Sequence, residues 1–184
     1  MTDATFGPAL GFLETSSIAS GIEATDAMMK KAGVDLLLTT IVPRGKYLVM
    51  VGGPVADVES SLAAGREKAG KSVLDEFLIQ GVHPQLPAAI KGRVAVPKLE
   101  AVGIIETKEV ASAIFAGDAA VKAAAVTLIE ARNQPGGKGM VVLTGDVGAV
   151  EAAVAAGVAT VKEGMLVGRV VIPSAHEALK KALL

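Results

Sequence analysis

The sequence contains its own unit twice. Displaced by about 92 residues, it aligns on itself without a gap from Ala9 to Leu78, with roughly 26 of those 70 positions identical. Ala9-Leu-Gly-Phe-Leu-Glu14-Thr15 meets Ala101-Val-Gly-Ile-Ile-Glu106-Thr107, and Asp26, Ala27 and Lys30 meet Asp118, Ala119 and Lys122. Pro43, Gly45 and Lys46 meet Pro135, Gly137 and Lys138. One extra residue near the end of the unit then brings His83 and Leu86 onto His176 and Leu179. Bias toward Ala and Val cannot produce matched Asp, Glu, Lys, Pro and His in one register. Two domains are therefore expected, residues 1–92 and 93–184. The junction falls at about Lys91 to Glu100, where Gly92 and Pro97 interrupt the pattern. A junction this short predicts units packed side by side rather than freely moving.

Each unit reads as β-α-β-β-α-β. Ala9 to Leu13 is a short apolar run, and Thr15, Ser16 and Ser17 offer a capping hydroxyl. Ile18, Ile22, Thr25 and Met29 recur at helical spacing, as do Val110, Ile114, Gly117 and Val121, and Gly33 is a candidate helix stop. Val34 to Val42 and Tyr47 to Val51 are strand-like around Pro43-Arg44-Gly45, a turn sequence, so they are expected to pair antiparallel. Pro54 opens a second helix in the first unit, and Asp146 is the expected N-cap in the second. Val73 to Ile79 and Met165 to Ile172 are the last strands, each followed by a short helix carrying His83 or His176. The fold class is α/β (α+β), with two tandem ferredoxin-like units. That topology serves enzymes, sensors, RNA binders and structural tiles alike.

Composition narrows the functions. With 51% apolar residues but one Tyr, four Phe and no Trp, the interior must be built from Ala, Val, Leu, Ile and Met. A net charge of −1 with interspersed signs argues against a nucleic-acid partner. The absence of cysteine removes disulfides, thiolate catalysis and Cys-based metal or iron–sulfur sites. No apolar run is long enough to span a membrane and the amino terminus lacks the marks of a secretory signal, so a cytoplasmic chain is expected.

A search for chemistry finds little. His83 and His176 occupy one place in the two units and could be acid–base groups or metal ligands, but no Cys or second His accompanies either. Packing or interface histidines are the favoured reading. Glu14 and Glu106 could be general bases, or could pair with a backbone group or a lysine at a subunit contact. The second reading is favoured because no acid–base partner matches them. Asp26 and Asp118 stand four residues before Lys30 and Lys122, the spacing of a helix-surface ion pair. The stretch Gln134-Pro-Gly-Gly-Lys138-Gly139 lacks the spacing and the Ser/Thr of a phosphate loop and lies between two strands. The chain is therefore read as a non-enzyme, with no catalytic or metal-binding residue and no cofactor.

The same residues carry a family. Ala9-Leu-Gly-Phe-Leu-Glu-Thr, Asp26-Ala-Met-Met-Lys30, their counterparts Ala101 to Thr107 and Asp118 to Lys122, and Gly145-Asp-Val-Gly-Ala-Val150 resemble the bacterial microcompartment shell domain. Ile172-Pro173 with His176-Glu177 is similar to that domain's closing segment. Two unpermuted copies in one chain resemble the trimeric branch, in which three chains supply six domains to a pseudohexagonal tile. The resemblance implies a structural shell component, a homotrimer that meets other shell proteins, located in a microcompartment shell in the cytoplasm. Thr40 to Gly53 is similar to the propanediol-utilisation trimer that holds an iron–sulfur cluster at its pore through one loop cysteine per chain. The matching position here is Pro43, within a residue, which implies a cofactor-free pore.

By the same resemblance, Lys30 and Lys122 are tile-edge lysines. The family's usual arginine near the closing Pro-x-x-His is absent, Gly81 and Ser174 standing there, as suits a minor tile set among others. Pro43, Arg44, Gly45 and Lys46, with Pro135, Gly136, Gly137 and Lys138, are expected to line a central pore. Arg44, Lys46 and Lys138 would make its rim positive and favour a small anionic metabolite. The alternative is that these side chains face solvent or pair with acids. A small-molecule sensor on a duplicated ferredoxin-like scaffold is the second functional reading.

Overall fold

The structure is a computed structural model that describes residues 7–176, 178–179 and 183. The first repeat runs β1 (Ala9–Thr15), α1 (Ile18–Lys31), β2 (Asp35–Val42), β3 (Lys46–Gly53), α2 (Val55–Ala69) and β4 (Val73–Gln80). After α3 (Leu86–Lys91) the second runs β5 (Ala101–Thr107), α4 (Val110–Ala123), β6 (Thr127–Asn133), β7 (Gly139–Gly145), α5 (Val147–Ala159) and β8 (Leu166–Ile172). The sheets have strand orders β2-β3-β1-β4 and β6-β7-β5-β8, and every pairing is antiparallel. That order is what β-α-β-β-α-β gives when each helix returns the chain across the sheet. Both units are thus ferredoxin-like.

Side-chain alternation explains the core. Ala9 and Leu13 of β1 share one buried cluster with Ala24 and Met28 of α1 and Val58 and Leu62 of α2. Gly65 lies where these elements meet: a Cβ there would come within 2.6 Å of the Met28 side chain and 3.1 Å of Leu13. Its counterpart Gly157 would meet Ile105 at 2.6 Å and the Ala116 carbonyl at 2.8 Å. The repeated glycine therefore sets the close approach of the two helices in each unit. In the second unit the other sheet face is also covered: Val96 and Leu99 from the segment before β5 pack on Val102, Ile129 and Val142. The Val94 N–H donates to the Ile129 carbonyl at 2.8 Å, extending that cover along β6.

The local signals mark real boundaries, with differences of detail. Ser17 is the N-cap of α1, its hydroxyl accepting from the Ser20 N–H at 3.3 Å. Asp146 stands at the N-cap of α5, but its side chain makes no capping bond. The first helix stops at Lys31 with Ala32 already extended, ahead of Gly33. His83 precedes α3 rather than lying in it. Ala178 and Leu179 are helical, and the rest of the second closing helix falls mostly outside the described residues. The extra residue enters earlier than expected. Thr15 pairs with Val73 and Thr107 with Leu166, so it lies in the connection ahead of β8 and not beyond it. A turn tolerates an insertion that would move every later side chain of a strand to the wrong face.

The chain forms two compact units. One runs to Val82 and takes in Pro135–Gly137; the other comprises His83–Gln134 and the chain from Lys138 onward. The segment His83 to Lys91 thus packs with the second unit, although the repeat counts it with the first 92 or so residues.

Candidate functional site

The two hairpin turns have the same backbone and different residues. Val42 pairs with Lys46, leaving Pro43, Arg44 and Gly45 as a three-residue loop with Arg44 at φ 73° and Gly45 at φ 77°. In the second repeat the Gln134 N–H closes the loop on the Lys138 carbonyl at 2.8 Å, and Gly136 and Gly137 adopt φ 85° and 77°. Glycine takes this left-handed conformation freely, whereas a side chain at Arg44 costs about 1 kcal/mol. Arg44 is exposed and makes no ion pair among the described residues.

The expected lysines of the rim carry matched charges. Lys46 Nζ lies 2.7 Å from Glu14 Oε1, and Glu14 is fully buried. The same ammonium donates to the Gly137 carbonyl at 2.5 Å, within the first compact unit. Lys138 Nζ lies 2.6 Å from Glu106 Oε1. Glu14 and Glu106 thus each meet a lysine of their own repeat. The reason is register: Glu14 stands opposite Leu48, placing Lys46 diagonally beside it on the neighbouring strand. With both lysines matched by carboxylates, Arg44 is the turn cation without one among the described residues.

The helix-surface ion pairs form at both expected places. Lys30 Nζ is 2.7 Å from Asp26 on an exposed face of α1. Lys122 contacts Asp118 on α4, and here the carboxylate is buried and its Oδ1 also accepts the His83 N–H at 2.9 Å. The histidines shape turns: Nδ1 of His83 accepts from the Gln85 N–H at 3.3 Å, and Nδ1 of His176 from the Ala178 N–H at 3.1 Å. Among the described residues no three His, Cys, Asp or Glu side chains gather as metal ligands would. Without a cysteine in the chain, the Pro43 turn has no thiolate to offer a cluster.

One cluster escaped sequence reasoning. Glu130, fully buried on β6, accepts from Arg93 Nε at 3.0 Å, Arg132 Nε at 3.1 Å and Gln134 Nε2 at 3.2 Å. It binds the segment before β5 to the start of the second turn. The available signal was a carboxylate where the first repeat has Leu38.

Residues 9–82 and 101–175 each match the BMC domain. The chain belongs to the bacterial microcompartment shell-protein family. It is 43% identical over 174 residues to the bacterial microcompartment shell protein PduT of Citrobacter freundii, covering 93% of this chain and 95% of that one. Carboxysome shell protein CcmK2 of Thermosynechococcus vestitus is 41% identical over 82 residues, 42% of this chain and 80% of its own. Among solved structures, a microcompartment protein from Desulfitobacterium hafniense superposes with a TM-score of 0.79 at 50% identity, covering 94% of this chain and 98% of the other. A fused permuted hexameric shell protein from the RMM microcompartment shares the fold, with a TM-score of 0.64 at 21% identity. The shell protein described here is therefore a structural component of a microcompartment and not a catalyst. These relatives give the sensor reading no support.

Proposed function

We propose that three copies of this shell protein close into a pseudohexagonal tile whose centre is a pore for small anionic metabolites. The observation that carries this reading is the Lys46 Nζ bond to the Gly137 carbonyl, which draws together the two turns, 43–46 and 135–138, assigned to the rim. Three Arg44 side chains then supply the rim's positive charge, and the lysines hold the turns in place through Glu14 and Glu106. The pore carries no iron–sulfur cluster, because Pro43 stands where the cluster-bearing type has its cysteine. Lys30 and Lys122 lie at the tile edge, facing neighbouring shell proteins.

Light scattering tests the tile: a mass near three times the 18.5 kDa chain is expected, and a stable monomer would overturn the reading. Shells assembled with Arg44→Ala test the pore. Slower entry of anionic substrate with unchanged entry of a neutral solute is expected, and equal anion entry would remove the charge from the mechanism.

A further inference from the structure

Two arginines of the second unit share one buried carboxylate oxygen, and one of them has donors left over. Glu130 on β6 is fully buried. Its Oε2 accepts from Arg93 Nε at 3.0 Å and from Arg132 Nε at 3.1 Å, and its Oε1 accepts from Gln134 Nε2 at 3.2 Å. A single carboxylate balances one guanidinium, not two. Arg93 makes a further interaction of its own and belongs to the frame. Arg132 commits only its Nε: among the described residues its two terminal amino groups meet no acceptor. Its side chain is 33% exposed.

The strand fixes where this guanidinium points. Arg132 stands opposite Met140 of β7, and directly paired residues share a face of the sheet. The preceding residue on β6, Ala131, and the following one on β7, Val141, lie under Gly117 of α4. Arg132 and Met140 therefore point away from the helices. Met140 packs there on the cluster that contains Val96 and Leu99. The segment before β5 thus covers part of this face, and Arg132 stands at the border of that cover.

The arrangement suits a ligand with two oxygens. A guanidinium offers parallel N–H donors in a plane, the geometry that a carboxylate or a phosphate group accepts. Here it is already pinned at Nε by a buried carboxylate, so less side-chain freedom remains to be lost on binding. The device is particular to the second repeat, for the residues aligned with Glu130, Arg132 and Gln134 are Leu38, Thr40 and Val42. Arg132 also lies two residues before Gln134, about 7 Å along the strand from the second turn.

We propose that the Arg132 guanidinium, pinned by Glu130, is a docking site for the carboxylate or phosphate group of a small metabolite. Its role rests on the pore reading: the turn that follows lines the rim, and Arg132 holds an anion on the sheet face beside that turn before it enters. The site itself needs one chain, whereas a ring of Arg44 needs three.

Isothermal titration with inorganic phosphate at low ionic strength tests it, in Arg44→Ala protein so that the rim is silent. One phosphate per chain is expected. Acetate should compete, and the tighter of the two anions identifies the group that the site takes. Arg132→Gln keeps a donor for Glu130 and removes the fork, so affinity should fall about tenfold while the urea midpoint changes little. Arg132→Lys keeps the charge without the fork and should restore only part of the binding. Phosphate binding unchanged in Arg132→Gln, or no binding of either anion to Arg44→Ala protein, would overturn the site. Full binding by Arg132→Lys would overturn it too, since a bare charge would then suffice. A monomeric chain that binds one phosphate through Arg132 would overturn the tile and leave the site standing.

Discussion

The Glu–Lys pair of the first repeat and that of the second join the same residue types at matching positions, yet their settings differ. Glu14 has no exposed side-chain surface and Lys46 little, whereas Glu106 and Lys138 are 36% and 45% exposed. Solvent screens the second pair and lets either charge hydrate alone; the first has no such recourse. One duplicated sequence thus yields a structural ion pair in one copy and a marginal one in the other.

The largest expected effect comes from breaking that contrast. Lys46→Met leaves the buried Glu14 carboxylate without its ammonium and the Gly137 carbonyl without its donor. A loss of about 3–5 kcal/mol is expected, against less than about 1 kcal/mol for Lys138→Met. Urea midpoints of the two variants check it, and equal losses would mean that the burial difference carries no energy.

The edge helices give the next contrast. Asp118→Ala removes the acceptor of the half-buried His83 N–H and a carboxylate beside Lys122, and about 1–3 kcal/mol should be lost. Asp26→Ala breaks only an exposed i,i+4 pair, worth about 0.5 kcal/mol in the dilute, dissociated chain. Urea midpoints of the two variants check the order of the losses.

The turns differ by a strained side chain. Arg44 holds a left-handed backbone that Gly136 holds without cost. Arg44→Gly should therefore stabilise the chain by about 1 kcal/mol, raising the thermal midpoint by a few degrees. If anion entry falls in the same variant, Arg44 is kept for its charge against its conformational cost. A melting point that fails to rise would show that the turn draws a compensating contact from the arginine.

The duplication made most of the architecture legible. Helical spacing at Ile18, Ile22 and Met29, the Ser17 cap and the Pro43 turn each mark an element boundary, and the repeat applies the spacing and the turn twice, although Glu109 stands without a capping bond where Ser17 caps α1. Tertiary register was harder to read. Lys46 meets Glu14 because β1 and β3 pair with Glu14 opposite Leu48, a relation no spacing along the chain contains. The placement of His83 to Lys91 was hidden for a similar reason. Its helical pattern announces an amphipathic helix but does not say which apolar face receives it. The identical edges of the two repeats offered equal claims, and hydrogen bonds to Asp118, Val126 and Leu128 decide between them.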